Sequence, residues 1–314
     1  MVEAASTPEP LASTPTPTPA EAEPPSPEPT PPPPDPSIPY PTAHCVSFDD
    51  LSERWVMRID PVAKADVRRA ERLVDRYPNA DGHTGALSRS NLPEAWRELR
   101  ELTLLSAEGS LHTRVKKVGV RPAPSGGSFA FVLEAKPDDP GTERALALEG
   151  HLPAAEPAWT AVSPSSVDTE RWASLEGPIT ELVEGLRPGK RPPGIRARDL
   201  QWLDAELGGG VVAIVLVNRE LHSGAVPRWA AIAAMGDDGQ LRPVPLVQSD
   251  DHPPPAGLLE HAFFEPVAWL DLDLDGRPEL LLDEMWPEGA FTWLVRVDPG
   301  SDQLLAERLC GDAA

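Results

Sequence analysis

Positive charge is in short supply in this chain: 28 Lys and Arg stand against 50 Asp and Glu, for a net charge of −22. Nucleic-acid binding depends on cationic side chains that displace counterions from phosphates, so that class of partner is excluded. No apolar run is long enough to cross a bilayer as a helix, and residues 1–42 contain no apolar signal-peptide core. If the protein is exported, the chain is expected to be the mature part of its precursor. Catalytic patterns are missing too. There is no Gly-x-Ser-x-Gly and no His-Glu-x-x-His, and the seven histidines are scattered. One stretch, Gly185-Leu-Arg-Pro-Gly189-Lys190-Arg191, is similar to a phosphate loop. It is a residue short between its glycines and has Arg191 where Ser or Thr would hold magnesium, so it is rejected. Gly208-Gly209-Gly210 leads into an apolar run rather than a helix, which excludes a dinucleotide fingerprint.

Glycine, lysine and arginine are all absent from residues 1–42, which hold 16 of the 40 prolines and six acidic residues. Such a segment has no apolar face to bury and is expected to be disordered and extended. In polyproline II geometry it would span about 130 Å, the dimension of a stalk holding a domain away from a membrane or cell wall. The remaining 272 residues carry all 28 basic residues against 44 acidic ones. Length alone allows one large core or two modest ones. Arginine at 23 against five lysines points to a GC-rich bacterial genome.

Cysteine occurs twice, at Cys45 just after the tail and at Cys310 four residues from the end. The two bracket the folded region, and neither sits in a nucleophile pattern. A Cys45–Cys310 disulfide is expected, and with it an oxidising compartment: periplasm, cell surface or medium.

The richest chemistry lies in residues 271–279, Asp-Leu-Asp-Leu-Asp-Gly-Arg-Pro-Glu. Asp271, Asp273 and Asp275 alternate, and Gly276 permits a sharp turn, so their carboxylates can surround one hard cation. The Arg277 carbonyl and Glu279 complete an all-oxygen shell. With no Cys or His nearby, calcium fits better than zinc. The loop is not an EF-hand: position twelve is Leu282 where a bidentate Glu belongs, and the apolar run Leu280-Leu281-Leu282 suits a strand rather than an exit helix. Strand, Asp-rich loop, strand resembles the FG-GAP-type repeat of integrin α-subunits and bacterial surface proteins. That resemblance covers residues 267–309, departs at Leu274 where the family usually has Gly, and implies a β-propeller blade with bound calcium.

A second, degenerate copy covers residues 200–247. Trp202-Leu203-Asp204-Ala205-Glu206-Leu207-Gly208-Gly209 aligns with Trp269-Leu270-Asp271-Leu272-Asp273-Leu274-Asp275-Gly276 at an offset of 67 residues. Each copy continues with an apolar run, a Trp-led strand (Trp229, Trp293), a Gly turn, and Gln-Leu opening a last strand. Four short strands make one blade-like unit. Glu206 and Gly208 replace the second and third aspartates, so the upstream copy is expected to have lost its metal.

Two units do not close a propeller. Further strands are expected at 115–120, 129–133 and 144–148. Helices are expected from Asp60-Pro61 through Tyr77, from Asn91-Leu-Pro93 to near Gly109, and from Asp168 to Leu186 with a break at Gly177-Pro178. The fold class is therefore mainly β with an N-terminal helical portion (α+β): antiparallel blade-like meanders in a partial propeller or small β assembly. The expected organisation is a tail over 1–42, a helix-plus-strand portion over 43–190, and two blade-like repeats over 191–314, or one continuous domain from 43 onward.

Two functional classes are compatible with these residues. One is a non-enzymatic surface or periplasmic protein, anchored through its tail, whose calcium-bearing units present a face to a protein or cell-envelope partner. The alternative is a hydrolase on a propeller-like scaffold with a loop-built site.

Overall fold

The computed structural model describes residues 42–49, 53–59, 61, 63–82, 84–123, 127–135, 144–149, 159–186, 194–219, 229–247, 258–260, 262–272, 276–286, 289–298 and 303–313. Apart from Thr42, the expected stalk lies outside them. The described fold is mainly β, with antiparallel sheets.

The first structural body is a barrel. β1 (Ala43–Asp49) and β2 (Arg54–Ile59) pair as a hairpin, followed by α1 (Lys64–Arg76) and the single turn α2 (Glu94–Arg97). β3 (Glu101–Ser106), β4 (Gly109–Arg121), β5 (Ser128–Leu133) and β6 (Arg144–Glu149) follow, and the strands close in the order β1-β2-β5-β4-β3-β6. Closure removes the unpaired edges that an open sheet exposes. Met57, Phe129, Phe131 and Leu133 fill the interior, and Ala70 and Leu73 of α1 join the same core.

Two sequence expectations fail here for identifiable reasons. The helix expected from Asn91 to near Gly109 stops at Arg97. Its 3.6-residue spacing (Trp96, Leu99, Leu102) coincides with the start of a strand, and Leu102 and Leu104 instead pair into the barrel with β4 and β6. Barrel closure outweighs a weak helical pattern. The first helix begins at Lys64 with Ala63 at its N-cap, not at Pro61. Asp60, the expected cap, lies outside the described residues.

Beyond the barrel come β7 (Thr160–Ala161), β8 (Ser165–Ser166) and α3 (Thr169–Leu186). α3 runs without a break through Pro178. An internal proline costs a helix about 3 kcal/mol. Burial of Leu175, Ile179, Leu182 and Val183 on one face contributes about 1.5–3 kcal/mol each, so packing wins over the local break signal.

The upstream copy forms the meander β9 (Leu200–Gly208), β10 (Val211–Arg219), β11 (Trp229–Gly236) and β12 (Leu241–Pro243). After β13 (Leu246–Val247) and β14 (Leu258–Glu260), the downstream copy forms β15 (Phe263–Leu270), β16 (Glu279–Trp286), β17 (Gly289–Val297) and β18 (Leu304–Ala313). Both meanders have the four strands that the repeated landmarks predict. β8 extends the first sheet beside β9, with β14 pairing β11; β7 and β13 extend the second, β13 running parallel to β18.

Among the described residues the two meanders do not stand beside further blades. They stack face to face: Ile214, Leu216 and Ile232 from the first meet Leu280, Leu282 and Trp293 from the second in one core. The first sheet's opposite face carries α3, and the second sheet's opposite face packs on β3 and β6 of the barrel through Leu105, Leu146, Leu281 and Leu294. The order of layers is helix, sheet, sheet, barrel. Because β10 and β11 are covered on both faces, they read as continuous apolar runs rather than alternating ones.

Candidate metal loop and polar cluster

The Asp-rich segment joins β15 to β16 in the second sheet. Asp271, the first expected ligand, follows the last residue of β15, and its Oδ2 accepts the Gly276 N–H at 3.1 Å. Gly276 has φ +79°, where a side chain is strained, so glycine is what permits this turn. At the far end Glu279 opens β16 and is buried, and its Oε2 accepts the Leu272 N–H at 2.8 Å. The first and ninth positions of the loop thus each accept a backbone N–H from within it. Asp273 and Asp275 lie outside the described residues. Among the described residues no three His, Cys, Asp or Glu side chains gather as a ligand set.

Arg277 was expected to contribute its carbonyl. What the structure places is its side chain, which reaches the other sheet and lies on Gly208. A Cβ on Gly208 would meet Arg277 Nε at 3.0 Å and Cζ at 3.1 Å. Gly208, which the sequence alignment sets against Asp275, offers bare backbone to a guanidinium. Asp204, the counterpart of Asp271, accepts the Trp202 indole N–H at 2.7 Å. Its carboxylate serves the face towards α3 and makes no loop contact of the Asp271 kind.

A second polar group lies between the sheets and was not singled out by sequence. Glu284 follows the Leu280–Leu282 run on β16 and shares its inward face with Leu282. It accepts the Trp293 indole N–H at 2.8 Å. Burial pushes the Glu284 carboxyl above its ordinary range, with the Trp293 hydrogen bond and the charge of Arg308 opposing more weakly. Nearby, Asn218 on β10 donates to the Phe264 carbonyl and accepts the Phe264 N–H, both at 2.8 Å. This amide bridges the two sheets and sets their relative register. The only sequence signal for either residue is a polar side chain inside an apolar run.

A third cluster sits at the first sheet's α3 face. Asp199 Oδ2 accepts the Arg196 N–H at 2.8 Å and the Arg219 Nη1–H at 2.7 Å, and both charged side chains are close to nine-tenths buried.

Cys45 on β1 and Cys310 on β18 form a disulfide, with Cα atoms 5.9 Å apart and 265 residues between them in sequence. It joins the barrel to the second sheet at their packed interface. No helix among the described residues is long and apolar enough to cross a membrane. No family model, no curated protein and no solved structure matches this chain.

Proposed function

We propose that this is a non-enzymatic exported protein of the bacterial surface or periplasm, carrying one structural calcium in the loop between β15 and β16. The observation that carries the reading is the loop's own wiring: Asp271 and Glu279, the first and ninth positions of an oxygen-only set, each accept an N–H from inside the loop. Those bonds hold two carboxylates at the ends of a short segment whose other acidic side chains are Asp273 and Asp275. Four carboxylates so confined repel one another, and a divalent cation removes that repulsion. The donor set is hard oxygen, which favours calcium over zinc or copper. When bound, the ion would contribute rigidity and no reaction step.

The FG-GAP-like reading of the two meanders belongs to the same proposal, as does the N-terminal segment acting as a stalk. Support for export comes from the Cys45–Cys310 disulfide, which persists in oxidising compartments. In this reading the outer surface of the folded body is what meets a protein or cell-envelope partner.

The test is a thermal melt in chelator and in millimolar calcium. A ligand that binds only the folded state adds about 2.7 kcal/mol at 100-fold over its dissociation constant. Wild type should melt higher in calcium, Asp273→Ala should lose that response, and Asp204→Ala should keep it. An unchanged wild-type melt would reduce the loop to an acidic turn.

A further inference from the structure

Under α3 the first sheet carries two buried donors that the fold itself does not use. Arg219 ends β10 and Trp229 begins β11, and the two are direct cross-strand partners. Both point to the α3 face, alternating with Asn218 and Ala230 on the inter-sheet face. Cross-strand partners of this kind have Cβ atoms about 4.5–5.5 Å apart. Trp229 is 1% exposed and the Arg219 side chain 11%. Trp229 Nε1 and Arg219 Nε are both sealed from solvent and neither has a hydrogen-bond partner. Arg219 commits Nη1 to Asp199, and that is its one hydrogen bond among the described residues. The Nε edge of its guanidinium, a planar fork of two parallel N–H groups, remains open beside the indole N–H.

Leaving buried donors unmet is costly, and native folds rarely do so. Two sealed N–H groups without an acceptor, with the outer N–H of the same fork beside them, call for an acceptor-only group. A water molecule would satisfy at most two and would bring two hydrogens of its own into the apolar cluster that includes Leu200, Val217 and Trp229. A carboxylate accepts from the fork in bidentate fashion and takes the indole N–H as well, donating nothing. Asp199, held by the Arg196 N–H, fixes the guanidinium from its other side and leaves the fork oriented.

We propose that Arg219 and Trp229 form a binding site for a small carboxylate, at the end of the first sheet remote from the glycine turn at Gly208. The burial of both donors admits a small organic acid rather than a folded partner. This assignment is independent of the calcium reading, since it uses the other meander and the other face.

Acetate is the probe, with acetamide as its neutral isostere and chloride at matched ionic strength as the control. In a ¹⁵N–¹H correlation spectrum, the Trp229 indole resonance is assigned by its disappearance in Trp229→Phe. It should move downfield and saturate with acetate, and stay in place with acetamide and with chloride. Arg219→Lys keeps a charge for Asp199 but lacks the fork, and should weaken the apparent acetate affinity at least tenfold. Thermal melts give an orthogonal reading: acetate should raise the melting temperature of wild type and leave Trp229→Phe unchanged. An indole resonance that acetate does not move, or that chloride moves equally, overturns the proposal. So does a Trp229→Phe protein that melts above wild type in every buffer, because the donor would then be an unmet group and nothing more. Glu260 stands opposite Trp229 on β14. If Glu260→Ala alone shifts the indole resonance as far as acetate does in wild type, the acceptor is internal and the proposal is wrong.

Discussion

The two meanders share a strand plan and differ in what their first loop does with its acids. Downstream, the β15–β16 connection is long, and its first and ninth residues accept N–H groups from within it. Upstream, the β9–β10 connection is a tight turn in which Gly208, Gly209 and Gly210 all have positive φ, and Asp204 accepts the Trp202 indole N–H. The two sheets thus share one strand plan with different chemistry in their first loops. In the upstream turn, Gly208 is a seat for the Arg277 side chain from the other sheet. The strands hold because both faces of each sheet are covered.

The largest expected difference concerns ion pairs. Asp199–Arg219 in the first sheet is buried, while Arg296–Glu307 in the second is partly exposed, at 18% and 44%. Removing one member of a buried pair strands the other charge, so Asp199→Ala should cost about 3–5 kcal/mol. Glu307→Ala should cost less than about 1 kcal/mol. Urea unfolding of both variants measures the contrast, and equal costs would mean that burial does not set the energies here.

The disulfide anchors only the second sheet to the barrel. Its chain-entropy ceiling for so long a loop is about 5 kcal/mol, and typical gains are about 2–4 kcal/mol. A Cys45→Ala, Cys310→Ala double variant should lose that much in urea. The loss should appear as earlier exchange of amides in β1 and β18, with α3 and β10 affected less. Uniform loss across the molecule would show that the covalent link serves the whole fold rather than this joint.

Glycine turns give a smaller contrast. Gly208 has φ +80°, and a methyl group there would stand 3.0–3.2 Å from Arg277 atoms, whereas Gly239 has φ +73° and nothing within 4 Å. Gly239→Ala should cost about 1 kcal/mol from backbone strain alone. Gly208→Ala should cost more, because Arg277 must also move, and Arg277→Ala in the same chain should recover the excess. If the two single variants are equally destabilised, the Arg277 seat contributes nothing.

Glu284 supplies the smallest effect and a pH signature. Its folded-state pKa is raised, so its contribution is fully present below the unfolded carboxylate pKa and is lost as pH rises through the folded value. Glu284→Gln keeps an acceptor for the Trp293 indole and removes the charge. Its melting temperature should fall less than that of wild type between that unfolded value and neutrality. Parallel pH profiles would assign the dependence to other groups.

Much of this arrangement was legible in sequence, and the reasons are local. Eight strands of the two meanders follow from Trp landmarks, apolar runs and Gly turns recurring in order. The disulfide followed from two cysteines bracketing the folded region, and the strands at 115–120, 129–133 and 144–148 from their composition. β2 was missed because Arg54-Trp-Val-Met-Arg58 alternates poorly, and β3 (Glu101–Ser106) hid inside a helical spacing; the barrel that they complete with β1 was therefore invisible. Stacking of the meanders on each other was also out of reach, since a continuous apolar run says that both faces are covered but not by what. The same limit concealed Arg219, Trp229 and Glu284. Each is an isolated polar group whose role exists only once β10 lies beside β11, or β16 beside β17. Sequence singled out Asp271 and Glu279 as metal ligands, and what the structure places there is a hydrogen bond from a loop N–H to each carboxylate.

Amide exchange at the two corresponding loops tests the central claim most directly. Calcium added to the chelated protein should slow exchange of the Leu272 and Gly276 amides, whose carboxylate acceptors would be locked by the ion, and leave the Gly210 amide in the upstream turn unchanged. Identical rates in calcium and chelator at Leu272 and Gly276, or an equal slowing at Gly210, would contradict the account.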